Sequence, residues 1–229
     1  MIFMEIVDFG VAEYDEVLKL QLSLFESLIL QKKLKKIEKE YLLLGEHLPV
    51  ITLGRKAIED NVLVPPPILA QNNIKLYHVG RGGDVTYHCP GQLIVYPIID
   101  LDRYKLGVKQ YVDLLEESVI LLLKIYGIKG ERIEGATGVW IDKGLPNERK
   151  ICAIGIKCSR FCVMHGISLN VNADLKGFDL INPCGFKDKG VTSILIESKK
   201  EIDMHEVKKS FIEIFTRLLQ PHTHVQENS

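Results

Sequence analysis

Apolar residues recur at helical spacing in three stretches of the chain. Residues 14–37, 108–126 and 204–219 each place aliphatic or aromatic side chains three or four positions apart, and this pattern predicts three amphipathic helices. The stretches between them contain short apolar runs rich in β-branched residues, which predict strands. The predicted strands are residues 40–47, 48–54, 75–80, 92–101 and 165–172, together with a hairpin formed by residues 139–144 and 149–160.

The order of these elements predicts the fold class. Strands follow one another through hairpins, and helices stand at the start, middle and end, so we expect an α+β fold with a mixed, mostly antiparallel sheet flanked by helices. The regular alternation of strand and helix that builds a doubly wound fold is missing. We expect residues 1–220 to form a single domain and residues 221–229 to form a flexible tail.

Composition and charge exclude several classes of function. With 229 residues, 46% of them hydrophobic, the chain can bury a substantial core. The formal net charge of −1 gives no field that would attract nucleic acid or a membrane surface, and no apolar run is long enough to span a bilayer. The N-terminus lacks the basic region of a signal peptide, and the five cysteines do not make an even disulfide set. These features favour a cytoplasmic protein without nucleic-acid or membrane partners.

A polar, glycine-containing stretch, RGGDVTYHCPGQ at residues 81–92, precedes the strongest predicted strand. Its paired glycines permit close approach of the backbone to a ligand, and Thr86, His88 and Gln92 supply hydrogen-bond donors and acceptors. A turn whose polar side chains satisfy its own backbone is the alternative. The stretch has neither the phosphate-loop pattern nor the glycine pattern of dinucleotide-binding folds.

Two further residues are candidates for chemistry. Cys184 lies between a proline and a glycine, at a bend that can expose its thiol, and a small buried side chain is the alternative. Lys150 opens a mostly buried strand, where a lysine is costly without a partner or a function; a strand-end lysine that reaches solvent is the alternative. On a regular strand Lys150 would share a face with Cys152, and Ala153 would lie on the other face.

A metal site is a further alternative for the cysteines. Cys152, Cys158, Cys162 and His165 are close in sequence, but their gaps are uneven and no CxxC pair is present. We therefore expect no bound metal. On its own, His165 is interpreted as a satisfied core histidine.

Several segments together resemble those of the lipoyl(octanoyl) transferases, a family similar in fold to the biotin and lipoate protein ligases. The segments are EHLPVITLGR at 46–55, RGGDVTYHCPGQLIVYP at 81–97, GVW at 138–140, KICAIG at 150–155, HGISLNVNADL at 165–175, and NPCG with VTS between 182 and 193. They occur in the family order and extend from about residue 40 to residue 195, which is most of the chain.

The resemblance implies an enzyme that moves an octanoyl group from octanoyl-acyl carrier protein to a lysine of a lipoyl domain, with no cofactor. Cys184 would be the acyl-accepting nucleophile, and Lys150 would favour its thiolate and move the proton. The acceptors would be apo-lipoyl domains of 2-oxoacid dehydrogenase complexes and the glycine cleavage H protein, and we expect a monomer. The residues that would line the acyl and pantetheine channel are Arg81, Gly82, Gly83, Asp84, Val85, Thr86, Tyr87, His88, Ala153, Ile154, Gly155, Gly166, Ile167 and Ser168.

One departure from the family pattern bears on this chemistry. Cys89 stands where the family usually has glycine, which brings a second thiol near the expected site. Three rival hypotheses also remain. An ATP-dependent lipoate or biotin ligase would form an acyl-adenylate without Cys184, a binding-only relative would hold a carrier protein without transfer, and a thiol hydrolase would release free octanoate.

Overall fold

The computed structural model of the protein describes residues 3–182 and 190–220. Within these residues the chain forms eleven β-strands and five α-helices. The strands are β1 (Phe3–Ala12), β2 (Lys39–His47), β3 (Val50–Leu53), β4 (Lys75–His78), β5 (Val85–His88), β6 (Gln92–Asp100), β7 (Glu131–Ile133), β8 (Ala136–Ile141), β9 (Arg149–Ser159), β10 (Cys162–Asn170) and β11 (Gly190–Val191). The helices are α1 (Tyr14–Lys33), α2 (Pro66–Gln71), α3 (Val108–Ile125), α4 (Ile194–Ser198) and α5 (Met204–Leu219).

The strands form two sheets with mixed but mostly antiparallel pairing. The larger sheet has the order β1-β2-β6-β10-β9-β8-β7, and β11 pairs with β9 beside this path. Among its described pairs, β1 with β2 and β11 with β9 are parallel, and the others are antiparallel. The smaller sheet has the order β4-β3-β5. This arrangement, with helices against the large sheet, confirms the predicted α+β class.

The two faces of the large sheet bury different helices. On β6, Leu93 and Val95 belong to the cluster that contains the apolar sides of α3 and α5. The alternate positions Ile94 and Tyr96 belong to the cluster that contains the apolar side of α1. This division follows from the period of two along a strand. The smaller sheet closes over part of the α1 side, and a pocket lies between the two sheets.

The structure confirms most of the elements predicted from periodicity. The last helix has the predicted bounds, and the first ends at Lys33 rather than at residue 37. The short strand β5 was not predicted, because Thr86 and His88 make its sequence polar although all four of its residues are buried. Among the described helices, none is both long and apolar enough to cross a membrane. The predicted tail, residues 221–229, lies outside the described residues.

Gly166 on β10 has no room for a side chain, and this generates a first prediction. A Cβ atom there would lie 2.2 Å from the backbone oxygen of Val95 on β6. We expect Gly166→Ala to lower the free energy of unfolding by about 1–3 kcal/mol, as overpacking of a core does, in a urea titration. Gly190→Ala is the matched control, because its Cβ would meet its nearest neighbour at an ordinary 3.6 Å. Equal stability of the two variants would contradict the close approach of β10 to β6.

Candidate active site

The pocket between the sheets is lined mainly by the residues that were predicted as a channel. Its floor is the face of β9 and β10 on which Ala153 lies opposite Ser168 and Gly155 lies opposite Gly166. The small residues at these four positions all line the pocket between the sheets. The predicted channel residues that line the pocket are Arg81, Gly83, Asp84, Val85, Thr86, His88, Ala153, Ile154, Gly155, Gly166, Ile167 and Ser168, and the predicted catalytic Lys150 joins them.

Two of the predicted site residues, Gly82 and Tyr87, do not line the pocket, and a third, Cys184, cannot be placed against it. Gly82 contacts β9 through its backbone instead. Tyr87 alternates to the other face of β5, where its ring packs edge-on against Phe178 with 5.6 Å between centroids. Cys184 lies outside the described residues.

Other lining residues come from elements that are distant in sequence, and the prediction missed them. Helical or strand periodicity marks Tyr14 and Tyr96 simply as core positions, so no local pattern distinguishes them. His165 had been interpreted as a satisfied core histidine, but it lines the pocket. The GVW motif was the available signal for Trp140. The additional lining residues are Tyr14, Tyr96, Thr137, Trp140, His165, Asn170, Phe178, Gly190 and Val191.

Glycines allow the loop before β5 to lie directly on β9. The Gly82 N–H donates to the Ile156 carbonyl at 2.8 Å. A Cβ atom at Gly155 would lie 2.8 Å from the Gly82 oxygen, so a larger residue would push the loop away. Gly83 adopts φ +85°, a left-handed conformation that glycine accepts without strain. The loop therefore forms a fixed wall of the pocket.

Arg81 anchors this loop to the smaller sheet. Its guanidinium donates to the Thr52 carbonyl at 2.7 Å, to the Thr52 hydroxyl at 2.9 Å and to the Gly82 carbonyl at 3.0 Å. The residue is 9% exposed, so its positive charge lies beside the pocket with little access to solvent. Burial is the main cause of the low pKa values of the neighbouring histidines His88 and His165, and this charge lowers them further.

A β-bulge brings Lys150 into the pocket. Trp140 on β8 pairs with Lys150, whereas the preceding Val139 pairs with Cys152, so Ile151 is an extra residue on β9. The expectation for a regular strand is therefore wrong for this segment. Lys150 lines the pocket together with Ala153, and Cys152 is buried in the core that contains α3 and α5.

The ammonium of Lys150 lies against the segment that follows β7. Its Nζ is 3.4 Å from the Thr137 carbonyl and 4.5 Å from the centre of the Trp140 ring. The aliphatic part passes Gly138, where a Cβ would lie 3.5 Å from the Lys150 Cε. Glu116 of α3 accepts a hydrogen bond from the Gly138 N–H at 3.0 Å and so fixes this segment from the core side. Lys150 is thus held by a hydrogen bond and by an aromatic face.

A buried hydrogen-bond chain joins the pocket wall to the strand that carries Lys150. The Gln92 amide oxygen accepts from the Ser168 hydroxyl at 2.9 Å and lies 3.3 Å from His88 Nδ1. The Gln92 amide nitrogen donates to Asn170 Oδ1 at 2.9 Å, and the Asn170 amide donates to the Thr192 carbonyl. The Thr192 N–H in turn donates to the Lys150 carbonyl at 2.9 Å. This chain of hydrogen bonds continues without a break from His88 on β5 to Lys150 on β9.

Aromatic rings and imidazoles surround the buried end of the pocket. The Tyr96 hydroxyl lies 2.9 Å from His47 Nε2, and His47 Nδ1 lies 3.2 Å from the Ala12 carbonyl. Because a carbonyl only accepts, Nδ1 carries the proton and Nε2 accepts from the tyrosine. The Tyr14 ring stacks on His88 at 6.2 Å between centroids, and Tyr96 meets His165 edge-on at 6.2 Å.

Burial keeps these histidines uncharged. It lowers the pKa of His47 to about 4 and, with help from the charges of Arg81 and Lys157, that of His165 to about 3. Burial also lowers the pKa of His88 well below its ordinary value. The imidazoles at the buried end of the pocket are therefore neutral at physiological pH and can contact an apolar group.

The described cysteines are poor candidates for a nucleophile. Burial raises the pKa of Cys89 to about 11 and that of Cys162 to about 12, and it raises the pKa values of Cys152 and Cys158 as well. The Cys89 thiol lies 3.6 Å from the Asp174 carbonyl in the core below the smaller sheet and does not line the pocket. Over the described part of the chain, no group of three or more His, Cys, Asp or Glu side chains is placed to hold a metal ion.

Sequence comparison relates the chain to lipoyl protein ligases and octanoyltransferases. Residues 14–216 match the family model described as lipoyl protein ligase A/B catalytic domain. The chain is 48% identical over 213 residues to the octanoyltransferase of Parabacteroides distasonis, and the match covers 91% of this chain and 96% of that protein.

Solved structures of ligases share the fold at low sequence identity. A bipartite lipoate protein ligase from Thermoplasma acidophilum superposes with a TM-score of 0.71 at 16% identity, covering 96% of this chain and 85% of that one. The biotin protein ligase of Aquifex aeolicus superposes with a TM-score of 0.53 at 14% identity, covering 99% and 72% respectively. These similarities confirm the biotin and lipoate protein ligase-like fold.

The low pKa of His47 generates a prediction about stability at acid pH. As the pH falls below about 6.5, the unfolded chain binds a proton at this histidine and the folded protein does not, so the protein loses stability until about pH 4. We expect His47→Asn to lose about 2 kcal/mol less than the unsubstituted protein between pH 7.5 and pH 5, measured by urea unfolding at both values. The exposed His78→Asn is the control. An unchanged pH dependence in His47→Asn would refute the neutral buried imidazole.

Proposed function

The chain belongs to the lipoyl protein ligase A/B catalytic domain family, and we propose that it carries an octanoyl group from octanoyl-acyl carrier protein to a lysine of a lipoyl domain. Its octanoyltransferase relative at 48% identity indicates an acyltransferase for octanoyl groups that acts in lipoylation. The donor, the acceptor lysine and a thioester on Cys184 do not follow from that relative and are part of our proposal. The acceptors we propose are the apo-lipoyl domains of 2-oxoacid dehydrogenase complexes and the glycine cleavage H protein.

The observation that carries this proposal is the attachment of both ends of the Cys184 segment at the pocket. On one side, the Asn182 N–H donates to the Asn61 carbonyl at 2.8 Å, and the Asn61 amide donates to the pocket residue Asp84 at 2.7 Å. On the other side, Val191 pairs with Lys150. A residue two positions beyond Asn182 lies at most ~7 Å from it. The chain length therefore supports a position for Cys184 near the pocket that contains Lys150.

The surroundings of the other four cysteines also favour Cys184 as the nucleophile. Each described cysteine has a raised pKa caused by burial, and none of the four lines the pocket. A thiol reacts as the thiolate, so these four are poorly suited to attack an acyl group. If the nucleophile is a cysteine, Cys184 is the remaining one.

Two balanced steps describe the proposed reaction. In the first, the Cys184 thiolate attacks the thioester carbonyl of the donor, the carbon–sulfur bond to the carrier breaks, and the carrier thiolate leaves with a proton from Lys150. In the second, the neutral amine of the acceptor lysine attacks the enzyme thioester, an amide forms, and Cys184 leaves as thiolate. Lys150, now neutral, takes the proton that the amine loses. Exchange between thioesters is nearly balanced in free energy, so the intermediate stays reactive.

The proposed route needs no nucleotide, and this separates it from a ligase on the same fold. The acyl group arrives as a thioester, so no acyl-adenylate has to be made. The structural likeness to lipoate and biotin ligases concerns the fold alone. The two routes therefore differ in a product that can be measured directly.

Intact mass spectrometry tests the covalent step. After mixing with octanoyl-acyl carrier protein and without a lipoyl domain, we expect one octanoyl group on Cys184, discharged when an apo-lipoyl domain is added. Cys184→Ala should lose the adduct and all transfer while keeping its thermal unfolding temperature. Cys158→Ala, at an exposed cysteine, should retain both the adduct and the transfer activity. An adduct on another cysteine would overturn the choice of nucleophile. Octanoylation that requires ATP and free octanoate would favour a ligase, and free octanoate as the product would favour a hydrolase.

Replacement of Lys150 tests the proton transfer. Lys150→Met keeps an unbranched stem beside Gly138 and Trp140 but removes the ammonium, so we expect acyl loading to slow by about 10²- to 10⁴-fold. The pH at which loading becomes fast should also rise, because the thiolate loses its positive neighbour. Single-turnover loading from pH 6 to pH 10 measures both effects. Lys143→Met, in the β8–β9 loop, is the control. An unshifted pH profile would remove this role from Lys150.

A further inference from the structure

The two ends of the pocket differ in exposure. Thr137 is exposed and Lys150 is half-buried at one end, whereas Tyr14, Tyr96 and His165 at the other end are 2%, 4% and 3% exposed. One pocket joins the two ends, and its track passes Ala153 and Ser168 and then Gly155 and Gly166 on β9 and β10. A long apolar chain that enters beside Lys150 would therefore run along this track toward the buried rings.

His165 breaks the alternation of β10 to reach this position. Val163, Ile167 and Leu169 point into the core that contains α3 and α5, and a regular strand would send His165 to the same side. Its backbone instead adopts φ +59°, which is uncommon for a residue other than glycine. The ring consequently lies on the pocket side, edge-on to Tyr96.

The neighbouring helix closes the pocket behind this ring. The His165 N–H donates to the Gln21 side-chain oxygen of α1 at 3.2 Å, and the adjacent Met164 is fully buried in the cluster that contains Phe25 and Leu28. Strained backbone that persists inside a strand is characteristic of functional sites. Here the strained residue separates the pocket from the α1 core.

The spacing along β10 matches the length of the acyl chain. From Ser168, the last polar side chain on the floor, three residues lead to His165, a distance of about 10 Å at ~3.3 Å per residue. An extended octanoyl chain has seven carbon–carbon bonds of ~1.5 Å and spans about 9 Å along its zigzag. A carbonyl at the level of Ser168 thus places the terminal methyl group against the imidazole.

We propose that the His165 ring closes the inner end of the pocket and limits the bound acyl chain to about eight carbons, an inference that rests on the octanoyl transfer proposed above. The ring is uncharged and presents its edge or face to the terminal methyl group. A longer chain would have to displace the imidazole or leave methylene groups outside the pocket. His165 is therefore a specificity-determining residue rather than a residue of the chemical step.

His165→Gly tests this role with little disturbance of the backbone, because glycine accepts the left-handed conformation. The loading rates of hexanoyl- to tetradecanoyl-acyl carrier protein are compared by intact mass for the unsubstituted protein and its variants. We expect the ratio of dodecanoyl to octanoyl loading to rise by at least about tenfold in His165→Gly. His165→Asn, which also tolerates positive φ, should show a smaller rise. Leu169→Ala, on the opposite face of the same strand, should stay within about twofold of the unsubstituted ratio.

Binding of free fatty acids separates this inference from the proposed function. For the unsubstituted protein, affinity in isothermal titration should rise from hexanoate to octanoate and should not rise further from octanoate to dodecanoate. Affinity that keeps rising beyond eight carbons, or an unchanged chain-length preference in a folded His165→Gly variant, would overturn the role of His165. If no acyl group loads on any variant, octanoyl transfer fails, and the titration series alone still decides whether the pocket ends at His165.

Discussion

The close backbone contact between the loop at residues 81–84 and β9 is the constraint on which the pocket depends. The Gly82 N–H reaches the Ile156 carbonyl only because Gly155 has no side chain, and a Cβ at Gly54 would lie 2.4 Å from the Gly83 oxygen on the other side. Without Gly155 the loop would be held away from β9 by about the width of a methyl group, and without Gly54 it could not lie against the end of β3. The guanidinium of Arg81 would then lose its hydrogen bonds to Thr52, and the polar stretch 81–92 could not form a wall of the pocket.

Irregularities in the neighbouring strands β9 and β10 each turn a polar side chain toward the pocket. On β9, the bulge at Ile151 turns Lys150 from the α3 side to the pocket side. On β10, the left-handed conformation of His165 does the same for an imidazole. In a regular sheet both polar side chains would point into the largest apolar core, where an unpaired polar group costs several kcal/mol. The local strain at each irregularity is smaller than that cost.

Periodicity predicted the elements whose burial follows a simple pattern, which are the three long helices and the central strand β6. It could not predict β5 or the side-chain directions on β9, because these depend on contacts between segments that are far apart in sequence. Most of the residues that motif resemblance singled out at 81–88, 150–155 and 166–168 line the pocket, because each motif is a short continuous stretch of chain. Tyr14, Tyr96 and His165 escaped detection because the fold, rather than any local pattern, brings them together.

The chemistry of the buried end explains why uncharged polar rings suit an acyl pocket. His88 and His165 line the pocket beside the buried charge of Arg81, and His47 packs against His88; burial and that charge act together to keep His88 and His165 neutral. Hydrogen bonds of His47 to Tyr96 and of His88 to Gln92 and Ser168 satisfy much of the polarity of these two rings within the protein, and the His165 ring packs edge-on against Tyr96. A wholly aliphatic end would bind an alkyl chain more strongly but would repack around chains of different length. The hydrogen bond from Tyr96 to His47 fixes the ring against which His165 packs, so it restricts repacking at this end and supports a defined pocket length.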